Sequence, residues 1–162
     1  MILDDGPAAI GLESTIIDGR DGSPRLLRPG AITPEALSEI AGEPVLAASA
    51  NNGAPDSTES RPSPGLLASH YAPSKPLLLN ILNPRTDQAL LAFGPPPAGY
   101  SGEVFNLSPS GDLVEASANL FIALRELDSS RAATIAAMPI PSFGLGLAIN
   151  DRLQRAAAPR EN

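Results

Sequence analysis

The apolar pattern changes character twice along the chain. Ile10 to Asp18 alternates in part and carries Thr15, Ile16 and Ile17, which predicts a strand bounded by Gly6-Pro7 and by Gly19-Arg20-Asp21-Gly22. Arg25 to Arg28 predicts a second short strand, stopped by Pro29-Gly30, and the Gly/Asp turn between the two allows a hairpin. A helix is expected over Glu35 to Ala41. Thr33 suits its N-cap, Pro34 its first position, Glu35 the positive end of its dipole and Gly42 its stop. Pro44 to Ala47 reads as another short strand.

Periodicity then disappears. Ala48 to Pro64 is rich in Ser, Asn, Gly, Pro and Asp, and prolines at 55, 62, 64, 73 and 76 stiffen the connection. A connection of this length marks a boundary or a functional segment. After Pro76, strands expected over 77–82, 89–93, 103–107 and 132–140 alternate with helices over 112–127 and 147–158, the first opened by Asp112 as N-cap. Such alternation implies an α/β fold with a mostly parallel sheet.

Composition narrows the chemistry. Hydrophobic residues make up 43% of the 162 residues, enough for a packed core, but aromatics only 4%, so that core must be aliphatic. The net charge of −7 argues against a broad basic face for nucleic acid. There is no cysteine, which removes disulfides, thiolate metal sites and Cys nucleophiles, and His70 is the single histidine, which removes multi-His metal sites. No apolar run approaches the ~20 residues of a membrane span and no secretory signal opens the chain, so a cytoplasmic location is expected.

Few residues stand out as candidate chemistry. Gly144-Leu145-Gly146 lacks the third glycine and the following acidic residue of a dinucleotide fingerprint, and reads better as a tight strand-to-helix turn. His70 has no nucleophile elbow beside it, so Ser-His-Asp catalysis is not supported. Arg28 stands at a strand end where a guanidinium could grip a phosphate bidentately, or simply be solvated. The Ser14 hydroxyl could bond a carboxylate or phosphate, or face water. Tyr71 pairs a ring with a phenol and could serve a site or anchor the connection.

Taken together, Gly11-Leu12-Glu13-Ser14-Thr15-Ile16-Ile17-Asp18, Leu27-Arg28-Pro29-Gly30-Ala31-Ile32-Thr33 and Ser63-Pro64-Gly65 to His70-Tyr71-Ala72-Pro73 resemble the two-domain, YrdC-like L-threonylcarbamoyladenylate synthase family. The run from Gly144 to Leu153 resembles that family's C-terminus. The resemblance implies an incomplete YrdC-like segment over 1–47, an interdomain linker over 48–76 and a Rossmann-like C-terminal α/β domain over 77–162. It implies a reaction joining L-threonine, bicarbonate and ATP into threonylcarbamoyl-AMP with release of pyrophosphate, in the tRNA threonylcarbamoyladenosine pathway. Ser14 would contact threonine, Arg28 the ATP phosphates, and Tyr71 would cover the nucleotide, with magnesium arriving on ATP.

The family's Lys-x-Arg and Ser-x-Asn ATP motifs have no counterpart in the proper place; Ser49-Ala50-Asn51 follows Arg28 and matches by chance. Met1 to Pro7 reads like a domain interior, so the expectation is the C-terminal portion of such an enzyme, inactive by itself. Proteins of the tRNA threonylcarbamoyl-transfer step would be downstream partners, without strong direct nucleic-acid binding. The alternative is a non-catalytic α/β regulatory or interaction module of the same machinery.

Overall fold

The computed structural model describes residues 1, 3, 6, 8–20, 22–47 and 71–158. Of the expected linker over 48–76, residues 48–70, including His70, lie outside the described residues. In chain order the elements are β1 (Ile16–Asp18), β2 (Arg25–Arg28), α1 (Pro34–Ala41), β3 (Leu46–Ala47), β4 (Leu77–Leu78), β5 (Ala89–Ala92), β6 (Val104–Asn106), α2 (Leu113–Asp128), β7 (Ile135–Ala137) and α3 (Leu145–Ala157).

The first sheet has the order β1-β2-β3. β1 and β2 form the expected antiparallel hairpin, with Ile17 opposite Leu26 and Asp18 opposite Arg25, and β3 runs parallel to β2. β1 is shorter than the expected strand from Ile10. A side chain at Gly11 would come within 2.9 Å of the Ser117 and Ala118 carbonyl oxygens, so the segment before β1 lies directly on α2 rather than in a ladder. α1 forms as anticipated: the Thr33 hydroxyl accepts from the Ala36 amide at 3.3 Å, and Gly42 ends the helix at φ +71°.

The second sheet is wholly parallel, in the order β4-β7-β5-β6. Its central strands, β5 and β7, are buried along their whole length, which explains why they read as unbroken apolar runs. α2 packs on β5 and β6, α3 on β4, and the two helices pack on each other. The α2 stripe of Ala116, Leu120, Ala123, Leu124 and Leu127 enters the core, and Asp112 caps that helix through the Val114 and Glu115 amides at 2.7 and 2.9 Å.

Two strands end earlier than their apolar runs. β4 stops at Leu78 because Asn80 takes φ +59°, which turns the backbone out of extension. Beyond β7, Met138 still donates to Leu91 at 2.9 Å, but Pro139 has no amide to carry the ladder on. The turn before α3 explains both of its glycines. Gly144 sits at φ +54°, and a side chain at Gly146 would approach the Pro141 carbonyl oxygen to 2.0 Å.

Leu120 is fully buried, so Leu120→Ala should cost about 2–5 kcal/mol. Ile122 on the same helix is 37% exposed, and its alanine variant should lose much less. Urea denaturation midpoints of the two variants check the contrast.

Candidate functional site

β2 directs Leu26 and Arg28 to the same, buried face, with Arg28 only 8% exposed. Its guanidinium is aimed by Ser14. Arg28 Nε and Nη2 both donate to the Ser14 carbonyl oxygen, at 3.1 and 2.9 Å, and Nη2 also donates to Ser14 Oγ at 3.1 Å. The two candidate residues therefore share one constellation, with Ser14 at the surface and Arg28 behind it.

The chain on either side of this pair is clamped. The Thr15 hydroxyl donates to the Ile32 carbonyl at 2.7 Å and accepts from the Ile32 amide at 3.0 Å. A side chain at Gly30 would come within 2.4 Å of the Glu13 carbonyl oxygen and the Thr15 nitrogen. Only glycine lets the turn after β2 lie so close against residues 13–15.

Glu13, beside Ser14, extends the constellation. Its Oε1 accepts the Tyr71 hydroxyl and its Oε2 accepts from Arg152 Nε at 2.9 Å. Tyr71 thus stands one carboxylate away from the Ser14–Arg28 pair. Its ring packs on Phe121 with centroids 4.9 Å apart, and its backbone holds φ +71°. Between Tyr71 and α2 lies a cleft of about 420 Å³ lined by Glu13, Tyr71, Phe121, Leu124, Arg125 and Asp128.

Arg152 of α3 is fully buried. Besides Glu13 it binds the Pro29 carbonyl oxygen at 2.9 Å and Asp151 Oδ2 at 2.7 Å, both through Nη1. Asp151 also holds Arg155. Arg152 Nη2 is buried with no hydrogen-bond partner among the described residues. One guanidinium therefore fixes the residue before Ser14 and the residue after Arg28.

Glu13 and Arg152 were not among the residues singled out from sequence. A signal for Arg152 exists: it shares a helical face with Ala148, Ile149, Leu153 and Ala156, all buried, so it is a charge in an apolar stripe. Its counter-ion, 139 residues away, has no such signal.

The electrostatics define a pH window. Burial pushes the Glu13 carboxyl up, but hydrogen bonds from Tyr71 and Arg152 outweigh it and hold it below its ordinary 4.5. Burial, and then the bond to Glu13, push the Tyr71 phenol up to about 12. Glu13 favours the fold as a carboxylate, so its contribution is complete above about pH 4.5 and is lost as pH falls through the lowered value. Tyr71 favours the fold as a phenol, so its contribution is complete below pH 10 and is lost as pH rises towards 12.

Glu13→Ala would leave the buried Arg152 with Asp151 as its one described counter-ion and should cost about 1.5–3 kcal/mol, measured by chemical denaturation at neutral pH. Glu13→Gln should flatten the fall in stability of the wild type below about pH 4.5, and Tyr71→Phe the fall above pH 10, both followed as thermal midpoint against pH.

Comparison with known proteins gives one consistent answer. Residues 32–158 match the family model described as "Threonylcarbamoyl-AMP synthase, C-terminal domain". A threonylcarbamoyl-AMP synthase of Bacillus subtilis is 35% identical over an alignment of 173 residues covering 98% of this chain and 49% of the relative. One of Pyrococcus abyssi is 34% identical over 175 residues, with the same two coverages of 98% and 49%. The chain spans about half the length of these curated relatives. Among solved structures, P. abyssi Sua5 complexed with L-threonine superposes with a TM-score of 0.75 at 32% identity, covering 95% of this chain and 48% of the other. A P. abyssi variant with an adjacent histidine and tyrosine both changed to alanine gives 0.70 at 28% identity, covering 92% and 46%.

Proposed function

The chain belongs to the threonylcarbamoyl-AMP synthase family and corresponds to its C-terminal portion, and from this we propose that it forms part of an ATP-dependent L-threonylcarbamoyladenylate synthase. The reaction condenses L-threonine, bicarbonate and ATP into threonylcarbamoyl-AMP and releases pyrophosphate. The product serves tRNA threonylcarbamoyladenosine formation, in the cytoplasm, through separate transfer proteins. No helix among the described residues is long and apolar enough to cross a membrane.

The observation that carries the reading is the meeting of Ser14 and Arg28 at one guarded strand end. Condensation of anionic reactants around a triphosphate needs neutralisation and alignment more than a base or nucleophile. Ser14 offers an exposed hydroxyl for threonine. Arg28 offers a guanidinium already oriented by Ser14 for the ATP phosphates. Tyr71, joined to the pair through Glu13, offers a ring and a phenol for the nucleotide. The likeness to a P. abyssi protein complexed with L-threonine supports threonine as one reactant. Magnesium would ride on the phosphates; among the described residues no group of three or more His, Asp or Glu stands ready to hold it.

Because the chain spans half of its relatives, it supplies a share of this site and by itself should release no pyrophosphate from ATP, threonine and bicarbonate. Turnover by the purified chain contradicts that part of the reading. Arg28→Ala should weaken ATP binding by about tenfold or more, the value of one charge-assisted hydrogen bond, in isothermal titration. Unchanged ATP binding in both Arg28→Ala and Tyr71→Phe would remove the assignment of these residues.

A further inference from the structure

One edge of the Arg152 guanidinium is only half used. Nε donates to Glu13 Oε2 at 2.9 Å, while Nη2, on the same edge of the planar fork, is buried and has no partner among the described residues. A carboxylate facing an arginine along that edge ordinarily takes both donors, one on each oxygen. Here the second oxygen, Oε1, accepts the Tyr71 hydroxyl instead. An unmet bond on a buried charged donor is costly, so Nη2 competes with Tyr71 for that oxygen. Tyr71 itself is held at φ +71°, in a region that bulky residues rarely adopt.

We propose that Glu13 is a two-position catch and Arg152 the positioning residue that works it. With Tyr71 docked on Phe121, Oε1 accepts the phenol. When Tyr71 turns to the nucleotide, Oε1 rotates to Nη2 and completes a bidentate ion pair. One hydrogen bond is exchanged for another, and the backbone strain at residue 71 becomes free to relax. Glu13 Oε2 and the Pro29 carbonyl stay on Arg152 throughout, so the segments carrying Ser14 and Arg28 keep their place while Tyr71 moves. The nucleotide step rests on the role proposed for Tyr71; the competition for Oε1 does not.

The test begins without ligand. In Tyr71→Phe the catch should close, so the Arg152 Nη2 protons, followed by ¹⁵N-edited NMR, should move downfield and the guanidinium rotation slow. Unchanged Nη2 signals in that variant overturn the proposal. A double-mutant cycle adds a second readout, because lysine presents no planar fork. Tyr71→Phe should lower Tm by several degrees less in the arginine background than in Arg152→Lys, whereas a merely structural Arg152 gives equal losses, which also overturns it. ATP added to the unmodified chain should reproduce the Nη2 shift of Tyr71→Phe; ATP bound with no such shift overturns the hand-over. A chain whose Nη2 answers Tyr71→Phe but which binds no ATP in calorimetry supports the catch and instead removes the proposed nucleotide role of Tyr71.

Discussion

The ion pair between Arg152 and Glu13 is the contact on which the rest of the site depends. A fully buried guanidinium cannot be left without counter-charge, and Asp151, its neighbour on α3, supplies only part of it. The remainder comes from the opposite end of the sequence. Because the same guanidinium also takes the Pro29 carbonyl, the three-stranded sheet is located against α3 at two points at once, immediately beside Ser14 and Arg28. The strength of a buried pair is matched by its intolerance: geometry that satisfies it admits few alternatives, which suits a position that must hold neighbouring side chains in register.

Close backbone approach does for shape what the ion pair does for charge. Gly11 lets the segment before β1 rest on the backbone of α2, and Gly30 lets the turn after β2 rest on residues 13–15. Arg28 then donates to the Ser14 carbonyl and hydroxyl oxygens. Gly11 therefore sets how closely the segment before β1 approaches α2, and Gly30 how closely the turn after β2 approaches residues 13–15.

Much of the fold was legible in the sequence because its elements carry local signals. Thr33-Pro34 and Gly42 marked α1, Asp112 marked the start of α2, and the unbroken apolar runs of β5 and β7 marked buried parallel strands. Strand ends were less legible, since Asn80 and Pro139 act through backbone geometry that an apolar run conceals. Of the site, Ser14, Arg28 and Tyr71 stood out through motif resemblance. Glu13 did not, because a carboxylate in a polar loop is unremarkable until its partner is known, and that partner is brought near only by the completed fold.

The strand order β4-β7-β5-β6 has a consequence for how the molecule is made. β7 follows β4, β5 and β6 in the chain, yet it occupies an interior place and, among the described residues, is the one neighbour of β4. Until it inserts, β4 has no partner among the described strands and β5 lacks one flank. Arg152 lies 139 residues after Glu13, so all of that intervening chain is made before Glu13 meets its cation. The nascent protein must therefore carry an unfinished sheet and an undocked β1-β2 hairpin until β7 and α3 have been made, an exposure for which chaperones exist.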